Sequence, residues 1–244
     1  MNTKTFDTPA LMGEAAGNHA ALKIESAISE YGEANIILAT GASQFHTLKT
    51  LVGYGIIDWS KVTVFHLDEY LGIDEHHHAS FRLYLKQRFL EHVGSVREFH
   101  FIDGTAENRR DECKRLNDLV APLEIQVALV GIGENGHLAF NDPPADFEVE
   151  DPYIIADLDK KCRLQQVGEG WFDGLEDVPT QAISMTVKQI MKSKSIICSV
   201  PDERKARAVK DCVLGEISNM HPASILQNHG DCTIYLDKES AKLL

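Results

Sequence analysis

The chain has 244 residues, 43% of them hydrophobic and 25% charged, which suits one large α/β domain with a substantial core. Its formal charge of -13 argues against nucleic acid or an anionic membrane as partner, since either needs a basic face. No apolar run approaches the ~20 residues needed to span a bilayer, and the first residues, Met1 to Asp7, lack the apolar core of a secretion signal, so a cytoplasmic protein is expected.

Apolar positions at helical spacing (Leu11, Ala15, Leu22, then Ala21, Ile24, Ile28) predict a helix from Thr8 to about Tyr31. Asn35 to Thr40 reads as a buried strand running into Gly41-Ala42-Ser43. Gln44 to Gly53 reads as a helix, Lys61 to Leu67 as a strand and Ser80 to Val93 as a helix. Glu98 to Ile102 is a short strand, Ala106 to Leu119 a helix and Ile125 to Val130 a strand. Ser195 to Val200 and Cys232 to Leu236 are late strands, with Asp202 to Leu214 helical between them. Strands alternating with helices imply a three-layer, Rossmann-like α/β fold, its mostly parallel sheet covered by helices on both faces. With no repeat or linker to divide it, the chain is expected to be a single domain over residues 1–244. The five cysteines form no CxxC pair and are expected to be reduced thiols.

In such sheets ligands bind beyond the carboxyl ends of the strands. Three polar segments occupy that position. Thr40-Gly41-Ala42-Ser43 leaves a strand and opens a helix, where free N–H groups and hydroxyls suit a phosphate, although Ser43 could simply cap its own helix. Asp68-Glu69-Tyr70 follows the next strand. Neighbours on an extended chain point opposite ways, so only one of the two acids should face a substrate; a desolvated carboxylate there could act as a base, or the pair could be structural. Gly131 to Pro144, GIGENGHLAFNDPP, brings Gly131, Gly133 and Gly136 beside His137, with Asn135 and Asp142 able to orient its ring.

The order ATGAS, FHLDEYLG and GIGENGHLAFNDP resembles the glucosamine-6-phosphate deaminase (isomerase) family, which shares a fold with 6-phosphogluconolactonases. After the histidine, lactonases continue with a Leu-Phe-Pro-like sequence and deaminases with Ala-Phe-Asn-Glu-Pro; Leu138 to Pro143, LAFNDP, falls on the deaminase side.

The resemblance implies that Asp68 transfers the proton, that His137 opens the sugar ring, and that Asp142 and Asn135 support the histidine. Thr40, Gly41, Ala42, Ser43 and Lys205 would hold the phosphate, with Arg163 closing that site and Glu69, Tyr70 and Gly136 alongside. It implies a small sugar phosphate as partner, glucosamine or galactosamine 6-phosphate, chemistry needing no metal or other cofactor, and an oligomeric state left open, a homo-oligomer included. Asp142 stands where the family usually has Glu, one methylene longer, so its contact with His137 is expected to need a water or a shifted loop. A lactonase and a non-catalytic sugar-phosphate sensor are the competing readings. His76-His77-His78 is read as a loop near the pocket mouth, because three consecutive side chains converge poorly on one ion.

Overall fold

The computed structural model describes residues 1–244. Its elements in chain order are β1 (Asn2–Phe6), α1 (Pro9–Tyr31), β2 (Ala34–Leu38), α2 (Phe45–Val52), β3 (Val62–His66), β4 (Asp68–Tyr70) and α3 (Phe81–Leu85). A π-helical turn (Lys86–Leu90) carries α3 into the short α4 (Glu91–Val93). Then follow β5 (Glu98–His100), α5 (Arg109–Val120), β6 (Val127–Val130), β7 (Tyr153–Asp157), α6 (Lys160–Gly168), β8 (Gln181–Met185), α7 (Val187–Met191), β9 (Ser195–Val200), α8 (Ala206–Leu214) and β10 (Cys232–Asp237).

Seven strands form one parallel sheet in the order β1-β10-β9-β6-β2-β3-β5. The central strands are buried on both faces, and alternation along them feeds two separate cores. Ile37, Phe65, Ala128 and Val130 pack on the side of α5 and α8. Ile36, Leu38, Val64, Val127 and Leu129 pack on the side of α1 and α2. Each fully buried Ile or Leu contributes about 1.5–3 kcal/mol, which is why these strands read as continuous apolar runs.

The expected α/β architecture and all the predicted strands and helices are present, with ends moved by a few residues. The helix expected from Ala106 starts at Arg109 because Asn108 caps it, its side chain accepting from Arg110 N at 3.1 Å. Helices α1 and α2 cross closely: a Cβ on Gly13 would lie 2.2 Å from His46 Cβ, and one on Gly17 2.6 Å from Thr47 O.

The sequence reading did not anticipate β1, the segments β7, α6, β8 and α7, or a second sheet. That sheet is antiparallel, ordered β4-β8-β7. Asp68-Glu69-Tyr70 is therefore a strand, paired with Ser184, Ile183 and Ala182. The order reverses between β2 and β6, whose chain continuations go to opposite edges of the large sheet. The loops after those two strands meet there, and the small sheet carries Asp68 to the same place.

Candidate active site

A cavity of about 500 Å³ opens at that switch point, within the range of small-molecule sites. Asp68, His137, Lys205 and the whole Thr40–Ser43 loop line it. Four segments far apart in the chain thus share one space.

Strand alternation separates the two acids of β4. Asp68 faces the cavity. Glu69 turns into the protein and accepts from Ser80 Oγ at 2.8 Å, Arg82 N at 2.9 Å, Tyr70 N at 3.0 Å and Phe81 N at 3.2 Å. It anchors the first turn of α3, with the Arg82 guanidinium 3.6 Å away. Glu69 is a structural carboxylate, while Asp68 has no such support. Burial, reinforced by the charge of Glu69, pushes the Asp68 carboxyl up to about 8. Tyr70 is fully buried with its hydroxyl donating to Gln166 Oε1 at 2.7 Å, so it braces α6 rather than lining the cavity.

The glycine-rich loop after β6 is folded by its own amides. Gly136 N donates to Gly133 O at 3.0 Å, and Gly133 N to His137 O at 3.1 Å. Gly136 adopts φ +85, where a side chain is strained, and lies outside the cavity lining. Gly133 has a different constraint: a Cβ there would lie 2.2 Å from His137 Nε2. The imidazole occupies the space that the missing side chain leaves.

His137 Nδ1 lies 3.0 Å from Asp142 Oδ1. The contact is direct, so the shorter aspartate needs neither water nor a displaced loop, because the tight turn between residues 137 and 142 (Leu138 bridged to Asn141) brings the carboxylate in. Asn135 does not touch the ring. Its Nδ2 donates to Asp142 Oδ1 at 2.9 Å and its Oδ1 accepts from the backbone N of His137 at 3.1 Å. Burial alone would raise the Asp142 carboxyl, but hydrogen bonds from His137, Asn135 and Asp159 N hold it below the usual carboxylate range. An ionised Asp142 assigns the ring proton to Nδ1 and leaves Nε2 as the acceptor. Cys162, with a buried thiol pushed well up by desolvation, completes a compact group with His137 and Asp142, their polar atoms within 4.8 Å of one another. A buried cysteine in a helix gives no sequence signal of such a neighbour.

In the loop after β2, Gly41 at φ +86 turns the chain into a 3-10 turn, Ala42–Gln44. Gln44 ties this loop to β6, its Nε2 donating to Val130 O at 3.2 Å and to Ser43 Oγ at 3.0 Å. Lys205, within the charged stretch Asp202 to Arg207, is only 5% exposed. It follows Asp202, a non-glycine residue at φ +89, which is strained backbone of the kind found at functional sites.

Arg163 is not part of this site. Its guanidinium donates to the carbonyls of Leu175 and Val178 and closes the loop between α6 and β8. Along α6, Gln165, Gln166 and Glu169 face the cavity, and helical spacing turns Arg163 away from them. The arginine that does line the cavity is Arg204. The triple histidine does not line it either; His77 stacks between His78 and Phe172.

Residues 7–235 match the family described as glucosamine-6-phosphate isomerases/6-phosphogluconolactonase. The chain belongs to this family. Relatives named glucosamine-6-phosphate deaminase include one from Clostridium acetobutylicum, 37% identical over 85% of this chain and 86% of its own. Another, from Streptococcus pneumoniae, is 37% identical over 87% of this chain and 88% of its own. Among family structures, a monomeric glucosamine-6-phosphate deaminase superposes with a TM-score of 0.90 at 29% identity, covering 100% of both chains. A 6-phosphogluconolactonase from Trypanosoma brucei reaches 0.82 at 16% identity, covering 100% of this chain and 98% of its own, a likeness of fold alone.

Proposed function

We propose that the protein is an aldose–ketose isomerase that deaminates an amino-sugar 6-phosphate, glucosamine 6-phosphate or its galactosamine epimer, to a ketose 6-phosphate and ammonia. The observation that carries this reading is the shared cavity, lined by an unsupported carboxyl (Asp68), an Asp142-oriented imidazole (His137), the Thr40–Ser43 loop and a buried lysine (Lys205). The sequence similarity to deaminases supports the same chemistry.

In this reading all of residues 1–244 serve one catalytic domain working in the cytoplasm. His137 Nε2 moves a proton between the ring oxygen and the anomeric hydroxyl, opening the sugar. Asp68 takes the proton from C2 and returns it at C1, passing through an enolamine. The ketose iminium then adds water and expels ammonia, so one water is consumed per turnover and the reaction is formally hydrolytic. Asp68 must be ionised to accept a proton, and the substrate's ammonium group at C2 favours that form. The Gly41–Ser43 loop and Lys205 hold the phosphate and so fix C1 and C2 against the carboxylate.

The test is turnover of each amino-sugar phosphate, followed as ammonia and ketose phosphate in equal amounts. A folded protein that turns over neither sugar, or that hydrolyses 6-phosphogluconolactone equally well without Asp68, refutes the proposal.

A further inference from the structure

The cation that would receive the phosphate is already paired. Lys205 Nζ lies 3.5 Å from Glu169 Oε1, and both side chains are almost wholly buried. Both residues line the cavity. The Glu169 carboxylate is held in that place by Gln165 Nε2 at 2.9 Å and Trp171 Nε1 at 3.3 Å. Arg204 offers no free substitute, because it is committed to Asp202 at 2.8 Å and to Glu134 at 3.6 Å. The remaining charged groups at this end, Glu203 and Glu239, are acids.

Burial drives the Lys205 ammonium toward its neutral form, and the Glu169 charge is the chief influence opposing that. An ammonium so enclosed needs an anion beside it, and the cavity can supply one from either side: the Glu169 carboxylate or a ligand's phosphate. Both together would place like charges against each other in a poorly screened space. Glu169 caps the C-terminal end of α6 between Gly168 and Gly170, the latter at φ +80, so the segment bearing the carboxylate has glycines on both sides.

We propose that Glu169 is an internal counter-ion that competes with the substrate's phosphate for Lys205 and thereby sets the affinity for the anionic end of the substrate. The inference rests on reading the Lys205 end as the phosphate seat. Binding then exchanges one anion for another: the phosphate takes the ammonium as the carboxylate leaves it. The enzyme keeps Lys205 charged when empty at the expense of a weaker grip on phosphate.

The experiment compares the wild type with Glu169→Gln and Lys205→Met, using inorganic phosphate as a competitive inhibitor and the amino-sugar phosphate as substrate. Gln removes the charge and keeps one oxygen, an acceptor for Gln165 or for Trp171 but not for both. The expected result for Glu169→Gln is a phosphate Ki and a substrate KM lower by about tenfold, from the size of couplings between close charges, with a smaller change in kcat. Phosphate should also raise the melting temperature of Glu169→Gln more than that of the wild type, and Lys205→Met should abolish phosphate binding. Unchanged or weaker phosphate binding by Glu169→Gln overturns the inference while leaving the phosphate seat intact. Phosphate binding that survives Lys205→Met overturns the seat itself and the inference with it. Should Glu169→Gln not fold, a crystal structure of the wild type with inorganic phosphate decides: Glu169 still against Lys205 while phosphate sits on the same ammonium overturns the proposal, and a separated pair supports it.

Discussion

Asp68 and Glu69 are covalent neighbours with opposite environments: Glu69 accepts four hydrogen bonds inside the protein, and burial without such support pushes the Asp68 carboxyl up. The division follows from the two-residue period of β4, whose pairing with β8 leaves Asp68 on the cavity side. One carboxylate builds the wall from which the other works.

Asp68→Asn should lower kcat by about 100- to 10,000-fold, the usual contribution of a positioned base, and abolish proton exchange at C2. The same change should stabilise the fold at high pH. A carboxyl raised to about 8 favours the folded state at acid pH and loses that contribution as pH rises from the ordinary carboxylate value through about 8. Above that pH, denaturant titration should find Asp68→Asn more stable by several kcal/mol, at about 1.4 kcal/mol for each unit of the rise. An infrared carboxyl titration near 8, present in the wild type and missing from the variant, checks the assignment directly.

Glu69→Ala should behave in the opposite sense. It strips the first turn of α3 of its acceptor and removes one of the two carboxylates beside the buried Arg82, leaving Asp103 as the other. A loss of about 3 kcal/mol in stability is expected, measured by urea unfolding. A variant as stable as the wild type would contradict the structural role of this carboxylate.

Gly133→Ala tests the seat of the imidazole. The added methyl would fall 2.2 Å from His137 Nε2, so the ring must move. Turnover should drop by about 100-fold, since small misplacements of a reacting group cost that much, while global stability changes little because the ring can swing into the cavity. Normal kcat would show that the ring position is immaterial.

Asp142→Asn keeps the size of the residue and exchanges an acceptor of the Nδ1 proton for an amide. The ring tautomer is then no longer held, and kcat should fall by about 100-fold or more. The carboxyl lies below its usual range, so its stabilising contribution is present above that range and disappears as pH falls through it. The wild type should lose stability below about pH 4 more steeply than Asp142→Asn does, as followed by circular dichroism.

Arg163→Met should leave the phosphate Ki unchanged and lower stability by about 1 kcal/mol, through the lost bonds to Leu175 and Val178. Inhibition kinetics and thermal melts separate the two effects.

The central strands were legible because β2, β3, β6, β9 and β10 are buried on both faces and are therefore mostly apolar. The strand Asn2–Phe6 escaped notice because it is a polar edge, paired on one side only with β10. The second sheet escaped because β4 is three residues long and its partner strands lie far along the chain. The cavity positions of Asp68 and His137 could be anticipated because polar residues at strand ends have nothing to pack against, and the family resemblance pointed to the same residues. Arg163 was misplaced because its neighbours do not reveal which side of α6 faces inward.

Local sequence thus determined the alternation of strands and helices, the glycine positions that only a tight loop needs, and the presence of ionisable groups where a sheet ends, since all three depend on periodicity and backbone sterics within a few residues. The tertiary structure alone decided that Asp142 touches His137 directly, that Lys205 is buried against Glu169, and that Glu69 is inside while Asp68 is free. The Lys205 pairing joins segments whose spacing in the chain carries no distance information, and the other two depend on the exact turn and strand pairing that the fold imposes. The environment of a charge is set by whatever the fold brings beside it.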